Sequence, residues 1–399
     1  MAKSLRTVDQ LDVRGKRVLC RVDLNVPMKN SRIEDLTRVK KLIPTLEYLI
    51  HKKAKVIVLS HFGRPDGEFV RDCSLAPLAD ALSASLGGKT VNFAVDCIGP
   101  ATEEAVAKLK DGEVLLLENL RFHKGETANS PAFVEKLARL GDLYVDDAFS
   151  CSHRKHASIV GLAKALPSAA GLLLQEEIEN LEKILQKDSK PILAIVGGSK
   201  VSTKLELLEN LMDKVDAIMV GGAMANTFLL AKGIKVEKSL VEKDLLATAQ
   251  IILEKAKTKH CRFILPEDVI VAKELVHKAT CRVVSAEKIP AGTMILDIGP
   301  KTVATISDVI AASKFVVWNG PLGAFEIQPF DVGTSAVARI VAQRTAEKQL
   351  VSVAGGGDIV SALSLAGLKD EFSYISTAGG AFLEWLEGKE LPGVAVLRA

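Results

Sequence analysis

The chain has 399 residues, of which 48% are apolar and 25% charged, and its formal net charge is +3. So small a basic excess excludes the charge signature of a nucleic-acid binder, and the length exceeds one ordinary core, which predicts two domains. The most membrane-like stretch, residues 157–174, is broken by Lys164 and Pro167, so no membrane span is expected.

The N-terminus is polar and lacks the apolar core of a signal peptide. Six scattered cysteines with no C-x-x-C pair signal neither a zinc site nor a disulfide framework, which suggests a reducing, cytoplasmic setting. Short β-branched runs alternate with helical patterns along the chain. In the first half, strands are predicted at 17–22, 56–60, 91–94, 114–117 and 143–146. Between the first two, Leu36, Val39, Ile43, Leu46 and Ile50 recur every three or four residues, which places them on one helix face. In the second half, strands are predicted at 192–196, 217–220, 262–265, 294–297, 315–318, 350–354 and 374–376. Alternating βα units imply parallel sheets flanked by helices, and the strands are too many for one sheet. The fold class is therefore α/β, with two doubly wound, Rossmann-like parallel-sheet lobes. The expected domains are 1–170 and 171–375, with a linking helix at about 171–187 and a C-terminal segment at 376–399.

Loops after the first-lobe strands carry basic side chains. His61, Phe62, Gly63 and Arg64 follow the second strand, Arg121 follows the fourth, and Arg154 lies beyond the fifth. Ligands of parallel sheets bind outside the carboxyl ends of strands, so these groups are expected to converge. Arg38 stands near the start of its helix, where the dipole disfavours a cation by about 0.3–1 kcal/mol; a bound anion removes that penalty. The first strand runs into Asp23, Leu24 and Asn25, which offer a carboxylate and an amide to hydroxyl groups. Four arginines, a histidine and an Asp/Asn pair suit a phosphorylated sugar acid, since the guanidinium fork binds phosphate or carboxylate bidentately.

The second lobe places glycines at strand–helix junctions: Gly197-Gly198, Gly221-Gly222, Gly355-Gly356-Gly357 and Gly379-Gly380. Such turns leave backbone N–H groups bare, and with a helix dipole behind them they form a phosphate site. Asp358, at one of these turns, is placed to hold a divalent cation. Lys200 and Lys204 are spaced as neighbours on a first helical turn, where they repel each other and oppose the dipole unless phosphates lie between them. The loop from Asn319 through Pro321 to Glu326 is either an apolar wall for a base with a carboxylate for ribose, or a structural turn. There is no P-loop, since Gly88-Lys89-Thr90 has Ser83 in place of the first glycine, and no G-x-G-x-x-G fingerprint. Two rival classes are a hinge-type binding protein for a small anion and an NAD-dependent dehydrogenase. The second phosphate grip argues against the former, the missing fingerprint against the latter.

In order, RVDLNVP at 21–27, SHFGRP at 60–65, ENLRF at 118–122, residues 147–154, GGSKVSTK at 197–204, WNGPLGAFE at 318–326, GGGD at 355–358 and residues 376–381 resemble the phosphoglycerate kinase family over the whole chain. The resemblance implies two lobes joined by a hinge, with 376–399 returning to the first. It implies a cytoplasmic, monomeric phosphotransferase of glycolysis and gluconeogenesis, with neither nucleic-acid nor membrane partners. The reaction implied is reversible, Mg2+-dependent phosphoryl transfer from 1,3-bisphosphoglycerate to ADP, giving 3-phosphoglycerate and ATP. By the same resemblance, Asp23, Leu24, Asn25, Arg38, His61, Phe62, Gly63, Arg64, Arg121 and Arg154 would bind the phosphoglycerate. Gly197, Lys200, Lys204, Gly221, Asn319, Pro321, Glu326 and Gly356 through Ile359 would bind nucleotide, with Asp358 on the metal. Arg38, Lys200, Lys204, Gly357 and Gly380 would be catalytic. Ile359 departs from the family's usual Thr or Ser, leaving only its backbone N–H for a phosphate. Ala378 replaces a common glycine, and Cys151-Ser152 replace the usual small residues.

Overall fold

The structure, a computed structural model, describes residues 4–29, 32–184, 190–376 and 378–398. The chain divides into two units, Met1–Glu179 with Glu390–Ala399, and Asn180–Lys389. In the first unit the strands are β1 (Arg17–Arg21), β2 (Met28–Lys29), β3 (Arg32–Ile33), β4 (Lys55–Leu59), β5 (Val91–Ala94), β6 (Val114–Leu117), β7 (Leu143–Asp146) and β8 (Ser168–Ala170). Six of them form a parallel sheet in the order β5-β6-β4-β1-β7-β8, while β2 and β3 pair antiparallel. Val56–Leu59 and the whole of β6 are buried on both faces, which is why they read as unbroken apolar runs.

β8 is not predicted from the sequence, because Ser-Ala-Ala carries no β-branched residue. It is held by β7 on one side and by a bridge from Thr7 to Ala170 on the other. The Arg6 N–H in turn donates to the Leu397 carbonyl at 3.1 Å, so the last residues of the chain pack on the first within this unit. The helix Thr37–His51 buries Val39, Leu42, Ile43, Leu46 and Leu49, a face rotated slightly from the predicted stripe; Leu36 is its exposed N-cap.

The second unit contains β9 (Ile192–Val196), β10 (Ala217–Val220), β11 (Arg262–Ile264), β12 (Asp268–Ala272), β13 (Cys281–Ser285), β14 (Met294–Ile298), β15 (Phe315–Asn319), β16 (Val351–Gly355) and β17 (Tyr374–Ser376). Its parallel sheet runs β11-β10-β9-β15-β16-β17, so strand order reverses between β9 and β15. Such a reversal opens a crevice at the carboxyl ends of the two strands. Residues 294–297 do not join this sheet as expected. They lie in β14, which with β13 flanks β12 in a separate antiparallel sheet. No helix separates β11 from β14, so the chain returns directly and pairs antiparallel.

The predicted linking helix is Leu172–Ile184; its last three expected residues, 185–187, lie outside the described residues. All six cysteines are free. Among the described residues no helix is long and apolar enough to cross a membrane.

Candidate active site

In the first unit Asp23 organises the loop after β1. Its Oδ2 accepts hydrogen bonds from Arg38 Nη1 at 3.0 Å and Ser150 Oγ at 2.6 Å, and its Oδ1 accepts from the Asn25 N–H at 3.0 Å. Arg38 Nη1 also donates to the Asn25 carbonyl at 2.7 Å. Asp23 thus answers part of the charge that Arg38 brings to its helix start, a task the sequence reading left to a bound anion alone. Asn25 Oδ1 accepts from the Gly63 N–H at 3.0 Å, tying this loop to the one after β4. Leu24 is buried and gives its N–H to Ser60 Oγ at 2.9 Å, so its side chain anchors the loop. Phe62 packs half-buried against the core, and Gly63 takes φ 63°, where a Cβ would lie 2.7 Å from Cys73 Sγ.

Beside this loop the unit gathers cations. Arg21, at the end of β1, is 1% exposed and was not among the predicted residues; an arginine inside a strand gives no sign of its direction. Its Nη2 lies 3.0 Å from His61 Nδ1, its Nε donates to Ser158 Oγ at 3.0 Å, and its Nη1 donates to the Val22 carbonyl. Arg121 is buried, donates from Nη1 to the Gly63 carbonyl at 2.7 Å, and keeps a buried Nε without a partner among the described residues. Arg154 is half-buried with Nε 3.2 Å from His153 Nε2, and Arg64 is exposed.

Electrostatics show how crowded these groups are. Burial first, then Arg21, Arg121 and Arg154, hold His61 well below the usual imidazole range. Burial followed by Arg121, Arg154 and Arg21 brings His156 down to about 4. Arg121 is itself lowered by burial and by Arg154. Glu126, buried nearby, accepts from the Ser158 N–H at 2.9 Å and Oγ at 2.6 Å, and burial raises its pKa. A cluster of guanidinium groups in which buried Arg121 is lowered by burial, Arg154 and Arg21, with a donor left over among the described residues, is suited to a polyanion.

In the second unit the loops after β9 and β15 meet backbone to backbone. The Gly197 N–H donates to the Asn319 carbonyl at 2.8 Å, and a Cβ on Gly197 would lie 1.9 Å from the Pro321 carbonyl oxygen. The Gly221 N–H donates to the Val196 carbonyl at 3.0 Å. Asn319 is buried, donates from Nδ2 to the Gly355 carbonyl at 2.5 Å, and accepts on Oδ1 from Lys204 Nζ. Burial lowers the Lys204 pKa, against the attraction of Glu387 and Asp358. The expectation that Lys200 and Lys204 share a helical turn is not met. The helix is Leu205–Met212 with Lys204 as its N-cap, and Lys200 is exposed in the preceding turn. Ser202 bonds Glu242 through Oγ (2.6 Å) and N–H (3.0 Å), while Thr203 Oγ1 donates to the Lys200 carbonyl at 3.0 Å. These local bonds compete with helical pairing and delay the helix.

β16 leads through Gly356, at φ 108°, into the helix Gly357–Leu365. The N–H groups of Gly357, Asp358 and Ile359 lie in its first turn and have no acceptor among the described residues. Asp358 is exposed there; as a hard oxygen donor at the turn, it fits a magnesium ion. The Ile359 side chain is 0% exposed and belongs to the hydrophobic core, so only its N–H reaches the turn. Gly379, at φ 52°, precedes the helix Gly380–Leu386; Thr377, in the same segment, lies outside the described residues. Gly198, Gly222, Pro321, Glu326 and Asp358 line a pocket of about 350 Å³ with Leu240, Leu275, Met294 and Leu296. That volume suits a small heterocycle. Phe325 also lines it, though only 7% exposed. The apolar residues from 240 to 296 were not predicted, because only folding brings β14 to the glycine turns. A larger depression of about 900 Å³ lies among Lys232, Glu254, Lys257, Arg262, Glu267 and Lys301. No glycine turn lines it, so it is not where we place the site.

Residues 8–389 match the family model described as phosphoglycerate kinase. The chain belongs to the phosphoglycerate kinase family. It is 55% identical over 392 residues to a phosphoglycerate kinase of Cereibacter sphaeroides (strain KD131 / KCTC 12085), covering 98% of this chain and 99% of that one. It is 55% identical over 398 residues to one of Bradyrhizobium diazoefficiens, covering 100% of both. The solved phosphoglycerate kinase of Coxiella burnetii superposes with a TM-score of 0.91 at 43% identity over 99% of each chain. That of Pyrococcus horikoshii OT3 gives 0.84 at 31% identity over 98% of each. As a phosphoglycerate kinase the chain is a glycolytic phosphotransferase that uses ATP or ADP with Mg2+, interconverting 1,3-bisphosphoglycerate and 3-phosphoglycerate.

Proposed function

We propose that the first unit is the phosphoglycerate-binding domain and the second the nucleotide-binding domain of a cytoplasmic, monomeric phosphoglycerate kinase. The observation that carries this reading is that each unit gathers groups suited to an anion at the carboxyl end of its own sheet, guanidinium groups in one and bare N–H groups in the other. Arg64, Arg121, Arg154 and the Nε2–H of His61 hold the phosphate and carboxylate of the sugar acid. Asp23 and Asn25 meet its hydroxyl, on a loop kept in place by Leu24, Phe62 and Gly63. The 350 Å³ pocket takes the base, with Pro321 lining it, Gly197, Gly221 and Asn319 in the neighbouring loops binding the nucleotide, and Glu326 meeting the ribose. Gly356 and the N–H groups from Gly357 to Ile359 hold phosphates. Asp358 would hold the magnesium ion, which would neutralise phosphate charge when bound.

The attacking phosphate oxygen is already ionised, so no proton-abstracting residue is needed. The protein's task is to align two anions and to counter charge on the group in transit. We assign Arg38 and Lys204 to counter that charge, with Lys200 and the N–H groups of Gly357 and Gly380 in support. Because these residues belong to different units, transfer requires the units to come together on both substrates, which also excludes water from the acyl phosphate. Small-angle scattering should show compaction only with both substrates present; an unchanged profile would rule closure out. A coupled assay with ATP and 3-phosphoglycerate tests the whole reading, which fails if purified protein shows no magnesium-dependent turnover.

A further inference from the structure

Asp96, Cys97 and His123 meet outside the residues assigned above. Asp96 and Cys97 follow β5, and His123 follows the short helix Leu120–Phe122 beyond β6, so adjacent parallel strands deliver them to one end of the sheet. One ligand atom from each lies within 4.8 Å of the other two. His123 Nε2 is 2.7 Å from Asp96 Oδ1, and the Cys97 sulfur is on a fully buried residue. The surroundings hold the groups in place. Thr102 Oγ1 donates to the Asp96 carbonyl at 2.9 Å, and the His123 ring lies 5.3 Å from that of Phe133. The His123 and Asp96 side chains are 29% and 46% exposed, which leaves a way in from solvent.

We infer that these three residues form a site for a thiophilic divalent ion of the zinc type, with water as fourth ligand. A thiolate, an imidazole nitrogen and a carboxylate oxygen in tetrahedral arrangement suit zinc or cobalt and do not suit magnesium. Binding forms bonds from the metal to Sγ, Nε2 and a carboxylate oxygen. It releases the Cys97 thiol proton to solvent and shifts the His123 proton from Nε2 to Nδ1. The thiolate and the carboxylate together balance the ion's charge, so the site closes neutral. It joins the loop after β5 to the one that carries Arg121, and the ion thereby stiffens the edge of the guanidinium cluster.

Cobalt titration of the full chain tests this, with excess magnesium present and Cys281→Ser as background to remove the exposed thiol. One equivalent should bind with a sulfur-to-metal charge-transfer band and tetrahedral d–d intensity, and should raise Tm. Cys97→Ser should abolish the charge-transfer band. His123→Gln, at a partly exposed position, should weaken binding by about tenfold or more, the loss expected on removing one protein ligand. Absence of the sulfur band, or affinity unchanged in both variants, would show a plain histidine–aspartate hydrogen bond beside a buried thiol and overturn the site.

Discussion

Arg21 Nη2 stands 3.0 Å from His61 Nδ1, and because a guanidinium can only donate, the imidazole proton is on Nε2. His61 is thereby fixed as a neutral donor, and the depression of its pKa by burial and by Arg21 has the same sense. His61→Gln, which keeps a neutral donor, should leave KM for phosphoglycerate within about threefold. His61→Ala should raise it about tenfold, near the 1.4 kcal/mol of one hydrogen bond. A KM that titrates with an ordinary imidazole pKa would show that His61 acts as a cation.

His156 is lowered to about 4, chiefly by burial and then by Arg121 and Arg154. The unfolded chain therefore takes up this proton first as pH falls. Stability from the group is complete above about pH 6.5 and is lost as pH drops toward 4. Asp146 and Asp147, raised by burial to about 7 and about 6, oppose it over part of the same range. The comparison to make is therefore wild type against His156→Gln, by urea unfolding at pH 7 and pH 4.5. The variant should lose less stability on acidification, and equal losses would refute the assignment.

Lys204 is held by Asn319 at a helix start, whereas Arg154 stands in the guanidinium cluster. Lys204→Ala should lower kcat by about a hundredfold or more with little change in KM for phosphoglycerate. Arg154→Ala should raise that KM about tenfold and leave kcat nearly intact. Steady-state kinetics on both variants decides; the opposite pattern would exchange their roles.

Two glycines should part company on substitution. At Gly197 an added Cβ would sit 1.9 Å from the Pro321 carbonyl oxygen, so Gly197→Ala should cost about 3 kcal/mol or more of stability. At Gly357 nothing lies within 4 Å of the added carbon, so Gly357→Ala should fold as well as wild type, or better by about 0.5 kcal/mol. If Gly357 is kept small for an approaching phosphate, its alanine variant should still lose ATP affinity. Calorimetry paired with nucleotide titration separates the two effects.

Ile359 is buried in the hydrophobic cluster that also holds Trp318, Ala354 of β16 and Leu363, with no exposure of its own. Ile359→Thr should therefore cost about 2–3 kcal/mol by leaving a void and burying a hydroxyl, without improving turnover. Denaturant unfolding and kcat on the same preparation check both parts. A faster enzyme would mean that the hydroxyl reaches the phosphate site after all.

What could be seen in advance follows from what hydrophobic pattern encodes. Doubly buried strands such as β6 and β9 announce themselves, and so do the glycine turns that end β9 and β16. β8 is hidden because Ser-Ala-Ala has no strand signature; β12 and β13 are missed, and the strand expected at 294–297 is given the wrong sheet, because a βα rhythm assumes a helix after every strand. Lys200 and Lys204 were placed on one helix face because spacing does not reveal that Ser202 and Thr203 hold the turn in another shape. Arg21 was passed over for a different reason. Burial of a charge is a property of the folded environment, and no local pattern records which neighbours, here Ser158 and His61, will receive it.

The antiparallel excursion between β11 and β15 places Met294 and Leu296 against a pocket whose glycines come from the main sheet. The contour that would discriminate one base from another and the donors that would grip any nucleoside phosphate are thus encoded in separate stretches of chain. Exchange of the excursion alone could retune ligand choice while leaving the phosphate machinery as it stands.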